Sequence, residues 1–214
     1  MKKITHLIIA VLFAITGIAQ DEKAKEILDK ASAKLDGYKT LTIKFSMTII
    51  PPEGEGEPIS QKGKIYVKGE KYMLDVTDQE VYSDGENIVT YFKEDNECYR
   101  STVEEAEEDV LAPTELLTLW EKGYNYKYGE TQEYAGSTCD VVFLYPKNPK
   151  DSKFHTVKML LSQETNEVVY VYLKGKDGTN MQYKLVSMEL DLEIPDSKFV
   201  FNEAEHPGVE CFDE

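Results

Sequence analysis

The sequence is poor in the residues and motifs that carry chemistry. It has three histidines; His6 falls in an N-terminal leader, and His155 and His206 lie far apart in polar segments. There is no G-x-S-x-G, no H-E-x-x-H and no P-loop. Asp84 sits in a turn, where an aspartate belongs without any catalytic role, and Asp191 and Glu193 alternate as on a solvated strand edge. The acidic cluster Glu104, Glu105, Glu107, Glu108 and Asp109 lacks the spacing of a calcium loop and reads as a solvated face. The expectation is a protein that is not an enzyme, with no cofactor and no metal site.

Cysteine is scarce too, with three in the chain and no CxxC pair. In an oxidising compartment one disulfide could form, in any of three pairings. Cys139 shares strand parity with Val141 and Phe143, and all three cysteines are read as small buried hydrophobes. Basic residues are outnumbered, 24 against 40 acidic, for a formal charge of −16. That balance excludes nucleic acid as a partner and disfavours anionic membrane surfaces. After residue 19 no apolar run is long enough to span a bilayer.

One apolar run is present, at the start. Lys2 and Lys3 precede Leu7 to Ile15, and Gly17 and Ala19 are small residues at the −3 and −1 positions of a cut after Ala19. This is the pattern of a secretory signal peptide over residues 1–19. No cysteine lies near the cut, so the protein itself is not expected to be a lipoprotein. Cleavage would leave 195 of the 214 residues as one domain, 20–214, and losing Lys2 and Lys3 would take the charge from −16 to −18. The mature protein is expected to be soluble, extracytoplasmic and monomeric.

The rest of the chain is dominated by period-two alternation. Leu41, Ile43, Phe45, Met47 and Ile49 point one way, and Thr42, Lys44, Ser46 and Thr48 the other. Pro51 to Pro58 is a patternless loop. Ile65 and Val67, then Tyr72, Leu74 and Val76, continue the alternation across a break at Gly69. Ser83 to Glu86 is a turn before a strand at Ile88 to Phe92, and a hairpin follows at Lys93 to Asn96. Further strands are predicted at Asn125–Glu130, Thr138–Tyr145, Thr156–Ser162, Val168–Lys174, Asn180–Met188 and Lys198–Phe201, for ten or eleven in all. A sheet this wide with so few helices must curl into a barrel or half-barrel.

Two helices are predicted. Asp21 to Asp36 places Ala24, Ile27, Leu28, Ala31 and Leu35 on one face, with Asp21 as cap and Gly37 beyond the end. Pro113 to Glu121 is shorter, with Leu116, Leu117, Leu119 and Trp120 over a wide apolar arc. The second reads as a lid carrying Leu116, Leu117 and Trp120 over an apolar interior. By parity, Ile43, Phe45 and Met47 face that interior with Ile65, Val67 and Leu74; a one-residue slip would bury Lys44, Lys64 and Lys68 instead. Phe143, Met159 and Leu161 are assigned to the same cavity from the later strands.

The order of elements carries a resemblance. Leader, amphipathic helix, a strand with Phe45, QKGKIYVKGEKYMLDV, VYSDGENIVTY, PTELL, VVFLYPK and the ending FVFNEAEHPGVECFD together resemble the periplasmic outer-membrane lipoprotein carrier family of the LolA type. The likeness spans essentially the whole mature chain and is strongest at Gly63 to Lys68 and at Ser83 to Gly85. It implies an incomplete antiparallel barrel closed by helices, with an apolar cavity for lipoprotein acyl chains. It also implies periplasmic shuttling from an inner-membrane lipoprotein-releasing transporter to an outer-membrane acceptor. The alternative it leaves open is a LolA-like domain that binds lipid or a partner in envelope sensing or assembly, without shuttling. The chain departs from the family at Gly69-Glu70, where the family has Arg-Pro. The family's arginine helps hold the lid shut, and neither Gly69 nor Glu70 can do that.

Overall fold

The structure, a computed structural model, describes residues 22–106, 115–121 and 123–213. The leader expected at 1–19 lies outside them, as do Glu107 to Asp109 of the acidic cluster and Pro113 of the expected lid. Among the described residues helix α1 covers 22–35, ending one residue before the predicted Asp36. Twelve strands follow: β1 Leu41–Ile50, β2 Ile59–Lys68, β3 Lys71–Val76, β4 Gln79–Ser83, β5 Asn87–Phe92 and β6 Glu97–Thr102, then β7 Tyr124–Tyr134, β8 Ser137–Pro146, β9 Phe154–Ser162, β10 Val168–Gly175, β11 Asn180–Leu190 and β12 Glu210–Asp213. A single α-helical turn, α2 (Val103–Ala106), and a 3-10 turn, Glu115–Leu117, lie between β6 and β7.

All twelve strands form one sheet in the order β12-β6-β5-β4-β3-β2-β1-β11-β10-β9-β8-β7. It is two meanders joined where β1 pairs with β11, Leu41 opposite Leu190 and Ile50 opposite Asn180. The neighbours are antiparallel apart from β12, which runs parallel to β6. The outer strands β12 and β7 do not pair with each other, so the barrel is incomplete. Register shifts at Lys44/Phe45, Tyr128/Thr131 and Val168/Tyr170 each add local bend to the sheet. At the first of these Val186 is the extra residue on β11 and is left 69% exposed.

The end of the chain differs from expectation. The strand predicted at Lys198–Phe201 is a 3-10 turn, Asp196–Phe199. Its apolar residues were not marking a strand; Phe199 is buried against Met73 and Ile194 on the outer face of the sheet. From there the chain crosses β3 to β6: Phe201 packs on Tyr82 and Tyr91, and His206 stacks on Phe201. Lys68 and Lys71 both pair with Asp196, holding its carboxyl below the ordinary range. The crossing ends in β12, a strand that four mixed residues, Glu-Cys-Phe-Asp, did not announce. Cys98 and Cys211 are joined in a disulfide across β6 and β12, so the reading of these two as plain buried hydrophobes is overturned. Cys139 remains a free, buried thiol; burial pushes its pKa up, with Glu133 and Asp140 adding to the shift, and keeps it unreactive.

Candidate functional site

The inner face of the sheet carries two apolar walls. The first is built by β1 to β3, where alternation brings Leu41, Ile43, Phe45, Ile65, Val67, Tyr72, Leu74 and Val76 to one side. Met47, Tyr183, Leu185 and Met188 pack against it, half-buried. The second is built by β8 to β10, with Val142, Leu144, Val157, Met159, Leu161, Val171 and Leu173. Five of the predicted cavity residues thus share the first wall with Met47 beside them, and Met159 and Leu161 share the second.

Phe143 is not with them. Its face of β8 carries Cys139 and Val141 and packs with Leu160, Tyr134 and Tyr170 on the other side of the sheet. From Val141 to Tyr145 both parities of β8 are apolar, so alternation does not choose a face there. The assignment of Phe143 to the cavity is corrected on that geometry.

Two elements cover the walls. Helix α1 lays Ala24, Leu28 and Ala31 on the second wall, all three almost fully buried. The segment expected to be a lid helix is a 3-10 turn, Glu115–Leu117, followed by tight turns to Glu121. Its leucines and tryptophan are still buried inward. Leu116, Leu119 and Trp120 join the second wall, and Leu117 joins the first.

Polar contacts tie these covers down. The Trp120 indole Nε1 donates to Ser32 Oγ at 2.9 Å, and the Ser32 hydroxyl donates onward to Glu121 Oε1 at 2.6 Å. One hydroxyl on α1 therefore grips two successive residues of the lid segment. Neither Ser32 nor Glu121 stood out in the sequence, because no spacing rule links residues so far apart. At the end of α1, Lys34 Nζ donates to Thr165 O at 2.5 Å and to Glu167 Oε1 at 2.7 Å. Burial lowers the Lys34 pKa, but the hydrogen bond and charge of Glu167 more than offset this and raise it. At the start of α1, Lys23 stands 3.8 Å from the centroid of the Tyr128 ring. Gly69, where the family's arginine would begin, sits in the β2–β3 turn at φ +59° and takes no part in these ties.

The void at the seam of the two walls, beside Leu35, Tyr38, Leu117 and Met188, is about 10 Å³, room for at most one water. A more polar cleft of about 370 Å³ lies outside, between α1 and the Trp120–Tyr126 stretch, flanked by Lys25, Asp29 and Lys147. The walls are not equally sealed. Val142, Leu144, Val157 and Met159 have no exposure, whereas Phe45, Val67, Leu74 and Leu117 each keep 9%. Among the described residues no group of three or more His, Cys, Asp or Glu side chains is placed to hold a metal.

Comparison with known proteins agrees with this architecture. The model of a family described as outer membrane lipoprotein carrier protein LolA matches residues 15–150. Among solved structures, a conserved uncharacterised protein from Thermus thermophilus superposes with a TM-score of 0.56 at 8% identity, covering 90% of this chain and 99% of its own. A DUF1329 family protein from Desulfovibrio piger gives 0.52 at 11% identity, covering 87% and 99%. The lipoprotein LppX from Mycobacterium tuberculosis gives 0.51 at 11% identity, covering 82% and 100%. At these identities the likeness is one of fold. No curated protein matches the sequence.

Proposed function

Because the chain belongs to the LolA family of outer membrane lipoprotein carrier proteins, we propose that it is a periplasmic carrier that holds lipoprotein acyl chains between its inner face and its covers. The observation that carries this reading is the inner face itself. Two broad apolar walls are covered by one helix and a 3-10 turn, and the cover over the first wall rests on Leu117 and its flanking contacts. An acyl chain gains about 0.8 kcal/mol for each CH₂ taken out of water, and a wall of Ile, Leu, Val and Phe supplies that gain without polar contacts. Loading displaces Leu117 from the first wall, and unloading lets it return. No covalent step is involved, so the carrier needs no cofactor; it takes its load from an inner-membrane transporter and gives it to an outer-membrane acceptor. The Cys98–Cys211 disulfide supports an oxidising compartment.

The test is mass spectrometry of ligand extracted from the mature protein made in its native envelope, with an acyl species expected at stoichiometric yield. An empty interior together with a stable protein partner would replace the carrier with an interaction domain of the same fold. A second arm uses Phe45→Glu, which sets an unpaired charge in the first wall. It should abolish acyl binding while far-UV circular dichroism keeps its β signature. Normal binding by the folded variant would count against this wall as the site.

A further inference from the structure

Along β1 and β2 the inner-face residues stand opposite one another: Ile43 with Ile65, Phe45 with Gly63, and Ile49 with Ile59. The first pair is buried. Ile59 is 60% exposed although it shares a face with Ile65, which is 4% exposed. Between them on this face stands Gln61, opposite Met47, its amide donating to Asp78 at 2.7 Å, so within a single strand pair the inner face passes from a covered wall, past one polar residue, to the exposed Ile59. Phe45 stands at the boundary. The tip of its ring lies over Gly63, so close that a β-carbon at position 63 would come within 2.3 Å of the ring's Cζ. Only glycine leaves the ring that resting place. Tyr183 stands 6.3 Å away, centroid to centroid, on the β11 side.

We propose that Phe45, laid over Gly63, sets how far along the first wall an acyl chain can reach, and so which chain lengths the protein accepts. The proposal rests on the carrier reading above. A chain entering over the Ile59 lip runs along β1 and β2 and meets the edge of the Phe45 ring. With the ring down on Gly63 the chain passes over it towards Ile43 and Leu74. With the ring lifted the path ends at Met47. Gly63 acts through Phe45 and is a positioning residue; Phe45 is the part that meets the ligand.

The experiment measures displacement of a fluorescent fatty acid by saturated fatty acids of increasing length, from octanoate to stearate. Gly63→Ala lifts the ring. It should lose about tenfold or more in affinity for stearate while keeping octanoate. The pair Gly63→Ala with Phe45→Ala should recover stearate, because no ring remains to be lifted. If Gly63→Ala alone does not fold, Phe45→Trp enlarges the ring without touching the β2 backbone and should narrow the range in the same direction. Binding by the unmodified protein, with chain-length preference unchanged in a folded variant of either kind, overturns the gauge and leaves the carrier reading standing. Failure of the unmodified protein to bind any of these acids overturns the carrier reading and the gauge with it.

Discussion

A single carboxylate shapes the turn between β4 and β5. Asp84 Oδ1 accepts from the backbone N–H groups of Glu86 at 2.9 Å and Asn87 at 2.8 Å. The hydrogen bond from Asn87, then that from Glu86, holds its carboxyl below the ordinary value of 3.8. The sign follows from linkage: a group whose folded pKa is depressed adds stability above its unfolded pKa and loses it as pH falls through the folded value. Urea unfolding of the protein and of Asp84→Asn should therefore show the larger gap near neutral pH. The gap should close steadily below about pH 4. A gap independent of pH would mean that the carboxylate charge contributes nothing. Asp84 was legible in the sequence as a turn residue because its contacts are local. Phe143 was not, because its face depends on which side of a doubly apolar strand the helix chooses.

At the scale of elements, α1 and the lid segment form one cover, tied among the described residues at Lys23, Ser32 and Lys34, with Ser32 reaching the lid. Removing its hydroxyl in Ser32→Ala should cost about 1 kcal/mol and free both Trp120 and Glu121. Trp120 is the sole tryptophan and is 6% exposed, so its emission reports this cover. The variant should shift that emission to the red and load a fatty-acyl ligand faster. Unchanged emission in a folded Ser32→Ala protein would show that apolar packing alone seats the lid. Helix α1 was readable because its five apolar positions repeat at helical spacing, and the first wall because β1 and the second half of β2 alternate apolar residues with mostly polar ones. The lid's exact form was not readable. A proline, a few leucines and a tryptophan give a wide apolar arc whether the backbone is an α-helix or a 3-10 turn. The crossing from Asp196 to Asp213 was also missed, because it is held by contacts to distant strands and not by any pattern of its own.

For the whole molecule, the disulfide is a covalent tie on the outer face, joining residues separated by 113 positions. Breaking a loop of that size costs small proteins about 2–5 kcal/mol. The paired change Cys98→Ser with Cys211→Ser should lower the urea midpoint accordingly. In hydrogen exchange it should release the Glu210 to Asp213 amides first, because β12 has β6 as its sole neighbour in the sheet. Equal midpoints for the paired variant and the oxidised protein would mean that aromatic packing of Phe201 and His206 holds the crossing by itself.

The pairing of β1 with β11 also fixes an order of events. Apart from β12, each meander is made of near neighbours in sequence and can assemble as its strands appear, but the central joint brings Leu41 to Leu190. Contacts between such distant positions close slowly, because the chain loses the freedom of a long loop before any pairing rewards it. A polypeptide delivered from its N terminus has β1 in place early, with one side open and no strand to fill it. The two halves cannot join until β11 has arrived. This topology withholds the central joint until most of the chain is available.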